Sequence, residues 1–226
     1  MAKKLTGRTL GIIHAAVFTA QVVEPYIREI LPDVAVMHLG DDTVQRDNLS
    51  APVGAIPPHN FYKFTTYARF LQEAGCDLIM LACSTFNGAV EVARSMITTP
   101  LLNIDRPMMD LAVAQGRRIG LLGTLPSTMP ASERLLRQAA ADAGRDIEVF
   151  PVLCAEAFQL LRAGDAKGHN DMLLREIDGL SSKTDAIVLA QVSMSALESQ
   201  LGDTRVPVYN SGRTGFARAR EMLEAL

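Results

Sequence analysis

Two segments of this chain, residues 76–90 and 184–198, are versions of one sequence, CDLIMLACSTFNGAV and TDAIVLAQVSMSALE. They align without a gap, and the alignment pairs Asp77 with Asp185. Two further blocks match in the same order and at nearly the same separation along the chain: Gly7–Ala15 with Gly116–Thr124, and Pro100–Asn103 with Pro207–Asn210. A long period that occurs only twice indicates a duplicated domain and not a solenoid array.

The two halves differ at one position that carries chemistry. In the alignment that pairs the two aspartates, Cys83 pairs with Gln191, so a thiol in one half stands where the other half has an amide. We expect the chemistry of the chain to depend on this asymmetry.

Each half predicts strands that alternate with helices. Short apolar runs with little alternation are typical of strands covered on both faces, and they fall at Leu10–Ile13, Val34–Leu39, Leu78–Ala82 and Leu101–Ile104, then near 118–122, 147–150, 186–190 and 206–209. Amphipathic stretches predict helices near 17–31, 59–75, 86–96, 105–115, 128–144, 153–163, 170–181 and 194–201. This order predicts an α/β fold with mostly parallel sheets flanked by helices. Gly75 and Gly144 are expected at helix C-termini, and Gly11 and Gly120 at packing positions inside strands.

The repeat predicts two pseudo-symmetric lobes of ordinary domain size. We assign residues 1–114 and 211–226 to lobe one and residues 115–210 to lobe two. A final helix near Arg213–Leu226 follows the last strand of lobe two and is expected to cross back onto lobe one.

Ligands of open parallel sheets bind beyond the carboxyl ends of the strands. The matched strands end at His14, Cys83, Thr124 and Gln191. Two lobes that face each other would bring these four residues to one cleft, which is therefore the predicted active site.

Composition excludes several classes of function. The net charge is −3 and the basic residues are dispersed, which argues against nucleic-acid binding. No apolar stretch approaches the roughly 20 residues of a membrane span, and the N-terminal segment leads into the first strand and does not resemble a signal peptide. Three cysteines without a secretion signal indicate reduced thiols in a cytoplasm. The spacing of cysteines and histidines fits no metal site, and nucleotide-binding glycine motifs are missing, so no metal and no cofactor is expected.

Cys83 is the strongest catalytic candidate. It ends an apolar strand and begins the turn Ser84-Thr85 that is predicted to open a helix, whose N-terminus would favour the thiolate. The hydroxyls of Ser84 and Thr85, with free backbone N–H groups, could hold a carboxylate. A catalytic thiol here should titrate well below roughly 8.5. Cys76 and Cys154 are interpreted as small buried hydrophobic residues.

Two turns of lobe two are predicted to bind the substrate. Gln191, Val192 and Ser193 form the counterpart of the cysteine turn; the amide can donate and accept hydrogen bonds but does not titrate near neutral pH. The second turn contains Thr124, Ser127 and Thr128, of which Ser127 or Thr128 also suits a helix N-cap.

Lobe one offers two further candidates. His14 ends the first strand and is a candidate acid, base or anion ligand; a purely structural role is the alternative. The polar segment Asp41–Asn48 is predicted to be a loop that either covers the cleft, with Arg46 or Asn48 near the ligand, or is simply solvated.

Taken together, these features resemble the aspartate/glutamate/hydantoin racemase superfamily. The resemblance spans nearly the whole chain and is most specific at Cys83-Ser84-Thr85, at Gly120–Thr128 and at the L-A-Q-x-S-M motif that contains Gln191. It implies a cofactor-independent enzyme with its site between two lobes, where one cysteine removes an α-proton and a second returns it from the other face. By position, Cys83 is the first cysteine, and Ser84, Thr85, Thr124 and Ser193 hold the substrate carboxylate. The resemblance also makes a homodimer a candidate assembly. Gln191 departs from the pattern, since it replaces the second cysteine.

Three functions are compatible with this departure. The first is a racemase- or isomerase-like reaction on a small carboxylate of amino-acid, hydantoin or dicarboxylate type, with Cys83 as the single thiol. The second is a decarboxylase or lyase in which one thiol protonates a carbanion from one face. The third is a small-carboxylate binding protein without catalysis.

Overall fold

The computed structural model describes residues 5–226 and contains two parallel four-stranded sheets of the same topology. The strands are β1 (Thr9–His14), β2 (Ala35–Gly40), β3 (Leu78–Leu81), β4 (Leu101–Asn103), β5 (Arg118–Gly123), β6 (Glu148–Leu153), β7 (Ala186–Leu189) and β8 (Val208–Asn210). Their order is β2-β1-β3-β4 in one sheet and β6-β5-β7-β8 in the other. In both sheets, the first strand of that half of the chain (β1 or β5) is therefore second in the strand order. The predicted α/β fold with two pseudo-symmetric lobes is confirmed.

Helices flank both sheets. They are α1 (Thr19–Ile30), α2 (Asp42–Ser50), α3 (Pro58–Glu73), α4 (Ala89–Ala93), α5 (Arg106–Gln115), α6 (Met129–Asp142), α7 (Ala155–Arg162), α8 (Ala166–Ser181), a 3₁₀ helix (Val192–Gln200) and α9 (Ser211–Ala225). Most lie within a few residues of their predicted positions, because their apolar faces repeat at helical spacing.

The segment predicted to be a polar loop is mostly the helix α2. Asp41 is its N-cap, and the Asp41 carboxylate accepts a hydrogen bond from the backbone N–H of Thr43. Only Val44 and Asn48 of α2 are buried. The loop prediction was wrong because this helix buries too few apolar side chains to show a helical period in the sequence. The start of the helix is fixed instead by the Asp41 cap.

The lobes exchange a helix. Met108, Met109 and Val113 of α5 lie in the core of the second sheet, although the sequence analysis assigned this stretch to lobe one. Phe216, Ala219 and Leu223 of α9 lie in the core of the first sheet. Each half therefore supplies one layer of the other half's core.

Four glycines occupy the positions that the sequence predicts. Gly75 and Gly144 follow α3 and α6 with φ of +85° and +62°, the left-handed conformation that suits helix C-termini. Gly11 and Gly120 lie in β1 and β5, where an added Cβ would meet Leu71 Cδ1 at 2.9 Å and Ile187 Cγ1 at 3.2 Å respectively. Both are packing positions.

The repeated aspartate has the same structural role in each lobe. Asp77 accepts a hydrogen bond from the backbone N–H of Thr9 at 2.8 Å, at the start of β1. Asp185 accepts from the backbone N–H groups of Arg117 and Arg118 at 2.9 and 2.8 Å, at the start of β5. Each carboxylate therefore ties the beginning of one central strand to its neighbour.

The N-terminal residues Met1–Lys4, which include both lysines of the segment judged unlike a signal peptide, lie outside the described residues. Within residues 5–226, the structure contains no helix with the length and apolar character of a membrane span.

We predict that Asp185→Ala lowers the free energy of unfolding by about 1–2 kcal/mol at neutral pH, since two backbone donors lose a charged acceptor. Backbone hydrogen bonds from Arg118 lower the pKa of Asp185 from 3.8 to about 2. The stabilisation is therefore present above about pH 4 and is lost as pH falls through about 2.

Urea unfolding from about pH 5 to about pH 2.5 measures this dependence. The difference between wild type and Asp185→Ala should shrink over that range, whereas Asp203→Ala, which changes an exposed aspartate, should match wild type throughout. A difference that does not depend on pH would contradict the assignment.

Candidate active site

A cavity of about 770 Å³ lies between the carboxyl ends of the two sheets. Three strand-end turns contribute to its lining: Cys83, Ser84 and Thr85 after β3, Thr128 after β5, and Gln191, Val192 and Ser193 after β7. The structure thus brings most of the candidate residues of both lobes to one site.

Cys83 is held in a dry environment. Burial raises the pKa of its thiol to about 12; the backbone N–H groups of Phe86 and Thr85 oppose this shift, and the Asp105 carboxyl adds to it. The expectation of a lowered thiol pKa is therefore wrong for the free protein. The helix that was expected to favour the thiolate is α4, which has five residues and begins only at Ala89. Desolvation outweighs the turn donors, and the resting form of Cys83 is the thiol.

Gln191 is fixed by its own lobe. Its Oε1 accepts hydrogen bonds from the backbone N–H groups of Thr124 and Leu125, at 2.5 and 3.2 Å, and from the Thr124 hydroxyl at 3.0 Å. Two backbone donors identify this atom as the oxygen of the amide. Within residues 5–226 the Nε2 group has no hydrogen-bond partner, and Gln191 lines the cavity. Gln191 therefore offers the cleft a neutral N–H donor.

A hydrogen bond joins the lobes across the cavity floor. The hydroxyls of Thr85 and Thr128 are 2.7 Å apart, and both side chains are buried. Thr19 also lines the cavity and was missed by the sequence analysis. The repeat could have identified it, because the alignment that matches the first strands of the two halves pairs Thr19 with Thr128 when it is continued along the chain.

His14 lies behind the cavity wall and does not line the cavity. The Thr19 hydroxyl donates to the carbonyl of Ala16 at 2.8 Å, so it accepts from Nδ1–H of His14, 2.7 Å away. His14 Nε2 is then an acceptor for Nδ1–H of His38 at 2.9 Å. Burial, with the neighbouring His38, lowers the pKa of His14 to about 4. The ring is neutral and both nitrogens are occupied within lobe one.

Three other candidates lie outside the cavity lining. Thr124 holds Gln191 and does not reach the cavity itself. Asn48 is buried, and its Oδ1 accepts a hydrogen bond from Asn60 Nδ2 at 2.9 Å. The Ser127 hydroxyl is buried, with no partner among the described residues. These geometries favour supporting roles over direct contact with a ligand.

The upper walls of the cavity are apolar, with a basic residue from each lobe. The apolar lining includes Phe18, Val22, Leu49, Leu125, Phe158 and Leu161. Arg46 of α2 and Arg162 of α7 also line it. Arg46 pairs with Asp47 at 2.8 Å. The helix α2 thus forms part of the cleft, and the position of Arg46 near a bound ligand stays a prediction.

Asp105 was missed altogether. It follows β4, is fully buried, and neither carboxyl oxygen has a hydrogen-bond partner among residues 5–226. Burial raises its pKa to about 7, and the nearby hydroxyls of Ser84 and Ser211 act in the opposite direction. A single aspartate next to a proline-containing helix start carries no sequence signal for such a position. Groups of three or more His, Cys, Asp or Glu side chains that could hold a metal ion do not occur in the described part of the chain.

Residues 61–219 match the family model described as Asp/Glu/Hydantoin racemase. The chain belongs to this family. The glutamate racemase of Streptococcus pneumoniae is 25% identical over 191 residues, which cover 82% of this chain and 69% of that protein. The resemblance found in the sequence is confirmed at the level of the family.

Solved structures of family members share the fold. An aspartate racemase homologue from Pyrococcus horikoshii aligns with a TM-score of 0.72 at 18% identity, over 97% of this chain and all of that chain (100%). The allantoin racemase from Klebsiella pneumoniae aligns with a TM-score of 0.70 at 20% identity, over 97% of this chain and 87% of that chain. The two-lobed architecture is therefore that of the racemase family.

The bond between Thr85 and Thr128 predicts a measurable coupling between the lobes. Thr85→Val or Thr128→Val alone leaves a buried hydroxyl unpaired and should lower the free energy of unfolding by about 1–3 kcal/mol. The double variant should lose little more than either single variant, because it removes both partners. Urea unfolding of all four proteins gives the coupling energy; strict additivity would contradict the bond.

Proposed function

We propose that this racemase-family protein is a cofactor-independent isomerase-type enzyme that acts on a small carboxylate, with Cys83 as its single catalytic thiol. The observation that carries the proposal is the cavity itself, in which one thiol lies among neutral hydrogen-bond donors from both lobes. Hydroxyl, amide and backbone N–H donors suit a carboxylate.

The neutral donors surround the thiol. Ser84 and Thr85 follow Cys83 directly, and Thr128, Gln191 and Ser193 approach from the opposite lobe. A carboxylate bound between these groups would hold its α-carbon or a conjugated double bond above the sulfur. The apolar walls exclude water, which strengthens each donor.

We expect the reaction to take place on one face of the substrate, the face next to Cys83. Gln191 has no titratable proton, and both nitrogens of His14 are occupied behind the wall. Conventional two-thiol racemisation is therefore not part of the proposal. One cysteine suffices for a proton shift in which its thiolate form removes the proton and the thiol so formed returns it. It also suffices for cis–trans isomerisation: the S–H group adds across the double bond, so that a C–S bond and a C–H bond form as the π bond and the S–H bond break. The resulting single bond rotates, and elimination restores the double bond and the thiol.

Decarboxylation is the second candidate, and one observation favours it. The resting state of Cys83 is the protonated thiol, which is the form that donates a proton to a carbanion. In that reaction a C–C bond breaks to release carbon dioxide, and the S–H proton forms a new C–H bond on one face.

We predict that Cys83→Ala abolishes turnover, by at least about 10²-fold, because the thiol that transfers the proton or attacks the substrate is lost. Cys154→Ala is the matched control: this half-buried thiol lies outside the cavity and should be dispensable. The substrate would first be identified by thermal shift with a panel of amino acids, hydantoins, unsaturated dicarboxylates and arylmalonates.

Turnover in deuterium oxide, followed by NMR, separates the reactions. A proton-shift isomerase exchanges hydrogen in the recovered substrate pool, whereas a decarboxylase releases carbon dioxide and incorporates one deuteron stereospecifically. Undiminished turnover by Cys83→Ala would refute the single-thiol proposal. Binding without turnover of any tested carboxylate in wild type would favour the binding-protein alternative.

Gln191→Glu tests the role of the amide donor. The glutamate keeps an oxygen for the backbone N–H groups of Thr124 and Leu125 but turns a negative oxygen, in place of Nε2, toward the cavity. We predict a lower stability at neutral pH, because a carboxylate replaces a buried amide, and a carboxylate affinity that falls by at least tenfold, roughly 1.4 kcal/mol. Gln21→Glu adds the same charge at an exposed site of α1 and should bind normally. Calorimetric titration measures both; equal affinities would contradict the assignment.

A further inference from the structure

Asp105 lies where the two lobes are joined. It follows β4, on the link to α5, and Ser211 begins α9 on the return link from β8. Strands β3 and β4 are neighbours in the sheet, and their register pairs Leu81 with Asn103, so Cys83 and Asp105 each lie two residues beyond this pair. The hydroxyl of Ser84, the residue after Cys83, and the hydroxyl of Ser211 are the polar groups that act on the Asp105 carboxyl.

The position of this carboxyl is costly. Asp105 has no exposed surface, and neither of its oxygens has a hydrogen-bond partner among the described residues. An unpaired buried carboxylate destabilises a fold. An asparagine of the same shape carries no charge and would lower that cost, so stability alone does not explain an aspartate at this position.

The neighbouring charges are engaged elsewhere. Arg106 pairs with Asp110 and Asp142 at 2.7 and 2.8 Å, and Arg213 of α9 pairs with Glu198 and Glu29. Across the cavity, the charged lining groups are Asp42, Arg46 and Arg162. Asp105 is the ionisable group that acts on Cys83, and its charge opposes thiolate formation.

We propose that Asp105 is a positioning residue for Cys83: the two groups share a single negative charge, so that Cys83 remains a proton-donating thiol while Asp105 is ionised. This inference rests on the proposed function, because it assigns a protonation state to the catalytic thiol. Two like charges in one dry site disfavour each other, as in paired carboxylates.

The proton balance follows from the pair. When the substrate takes a proton, the S–H bond of Cys83 breaks, a C–H bond forms, and the thiolate adds a second negative charge beside Asp105. Repulsion between the two charges then favours uptake of one solvent proton by the pair, which restores the thiol and the carboxylate.

Alkylation by iodoacetamide tests the inference without a substrate, because only the thiolate reacts and mass spectrometry reads Cys83 separately from Cys76 and Cys154. In wild type the rate at Cys83 should rise with pH, level off above the ionisation of Asp105 near pH 7, and rise again only in alkali. In Asp105→Asn the rate should rise without the level region. The ratio of variant to wild type should therefore grow from about 1 at about pH 6 to roughly tenfold or more at about pH 9.

The control is Asp110→Asn, which removes an exposed carboxylate from the same segment and should reproduce the wild-type profile. A folded Asp105→Asn protein with the wild-type profile would overturn the inference. A merely structural aspartate would change the yield of folded protein, but it would not change the dependence of the alkylation rate on pH.

Ser211→Ala covers the case in which Asp105→Asn fails to fold, and stability provides a second test where it folds. Ser211→Ala removes a hydroxyl that lowers the pKa of Asp105, so the level region should begin at higher pH; an unchanged profile would overturn the inference. Where Asp105→Asn does fold, it should gain stability relative to wild type as pH rises from about 4 to about 7, since the raised pKa of Asp105 destabilises wild type in that window. A failure of the proposed function would be recognised separately, because it is tested by the turnover of Cys83→Ala and not by the alkylation rate.

Discussion

The cleft depends on one constraint, which is the exchange of a helix between the lobes. Parallel strands bring their carboxyl ends to one edge of each sheet, and the two edges face each other because α5 packs in the second core and α9 in the first. The crossing point is tightly packed: an added Cβ at Gly215 of α9 would lie 2.8 Å from the backbone oxygen of Ile104. The chemistry at the strand ends therefore rests on close contact between the two links.

Much of this arrangement could be predicted because duplication is a global signal. Three matched blocks define equivalent strands, equivalent strands end at equivalent turns, and the carboxyl ends of facing sheets converge. The turns of Cys83 and Gln191 were placed correctly on this basis. The same alignment also pairs Thr19 with Thr128. A comparison of the two halves residue by residue would therefore have identified Thr19 as a residue of the site.

The errors arose where tertiary burial decides the outcome. A thiol near a helix start suggested a thiolate, yet the helix α4 is short and distant, and burial raises the thiol pKa instead. Helix α2 was missed because its packing uses few apolar side chains, and Asp105 because nothing local marks a buried carboxylate. Solvent exposure at such positions depends on how the two lobes pack together, and a short stretch of sequence does not determine it.

The asymmetry between Cys83 and Gln191 is matched by a second one in the neighbouring strand. When the first strands of the two halves are aligned, His14 at the end of β1 pairs with Gly123 at the end of β5. An added Cβ at Gly123 would lie 3.5 Å from Gln191 Oε1 and 2.6 Å from Met129 Sδ. Lobe two therefore combines a long amide with a residue that has no side chain.

Lobe one makes the opposite combination, a small thiol on the turn after β3 and a histidine ring at the end of the adjacent β1. At these strand ends, lobe one has a thiol and lobe two has an amide that does not titrate. Gln191 has three donors for its oxygen, and its nitrogen is left for the cleft. Under the proposed function, the second half of the duplication acts as a binding surface for a substrate that reacts at Cys83.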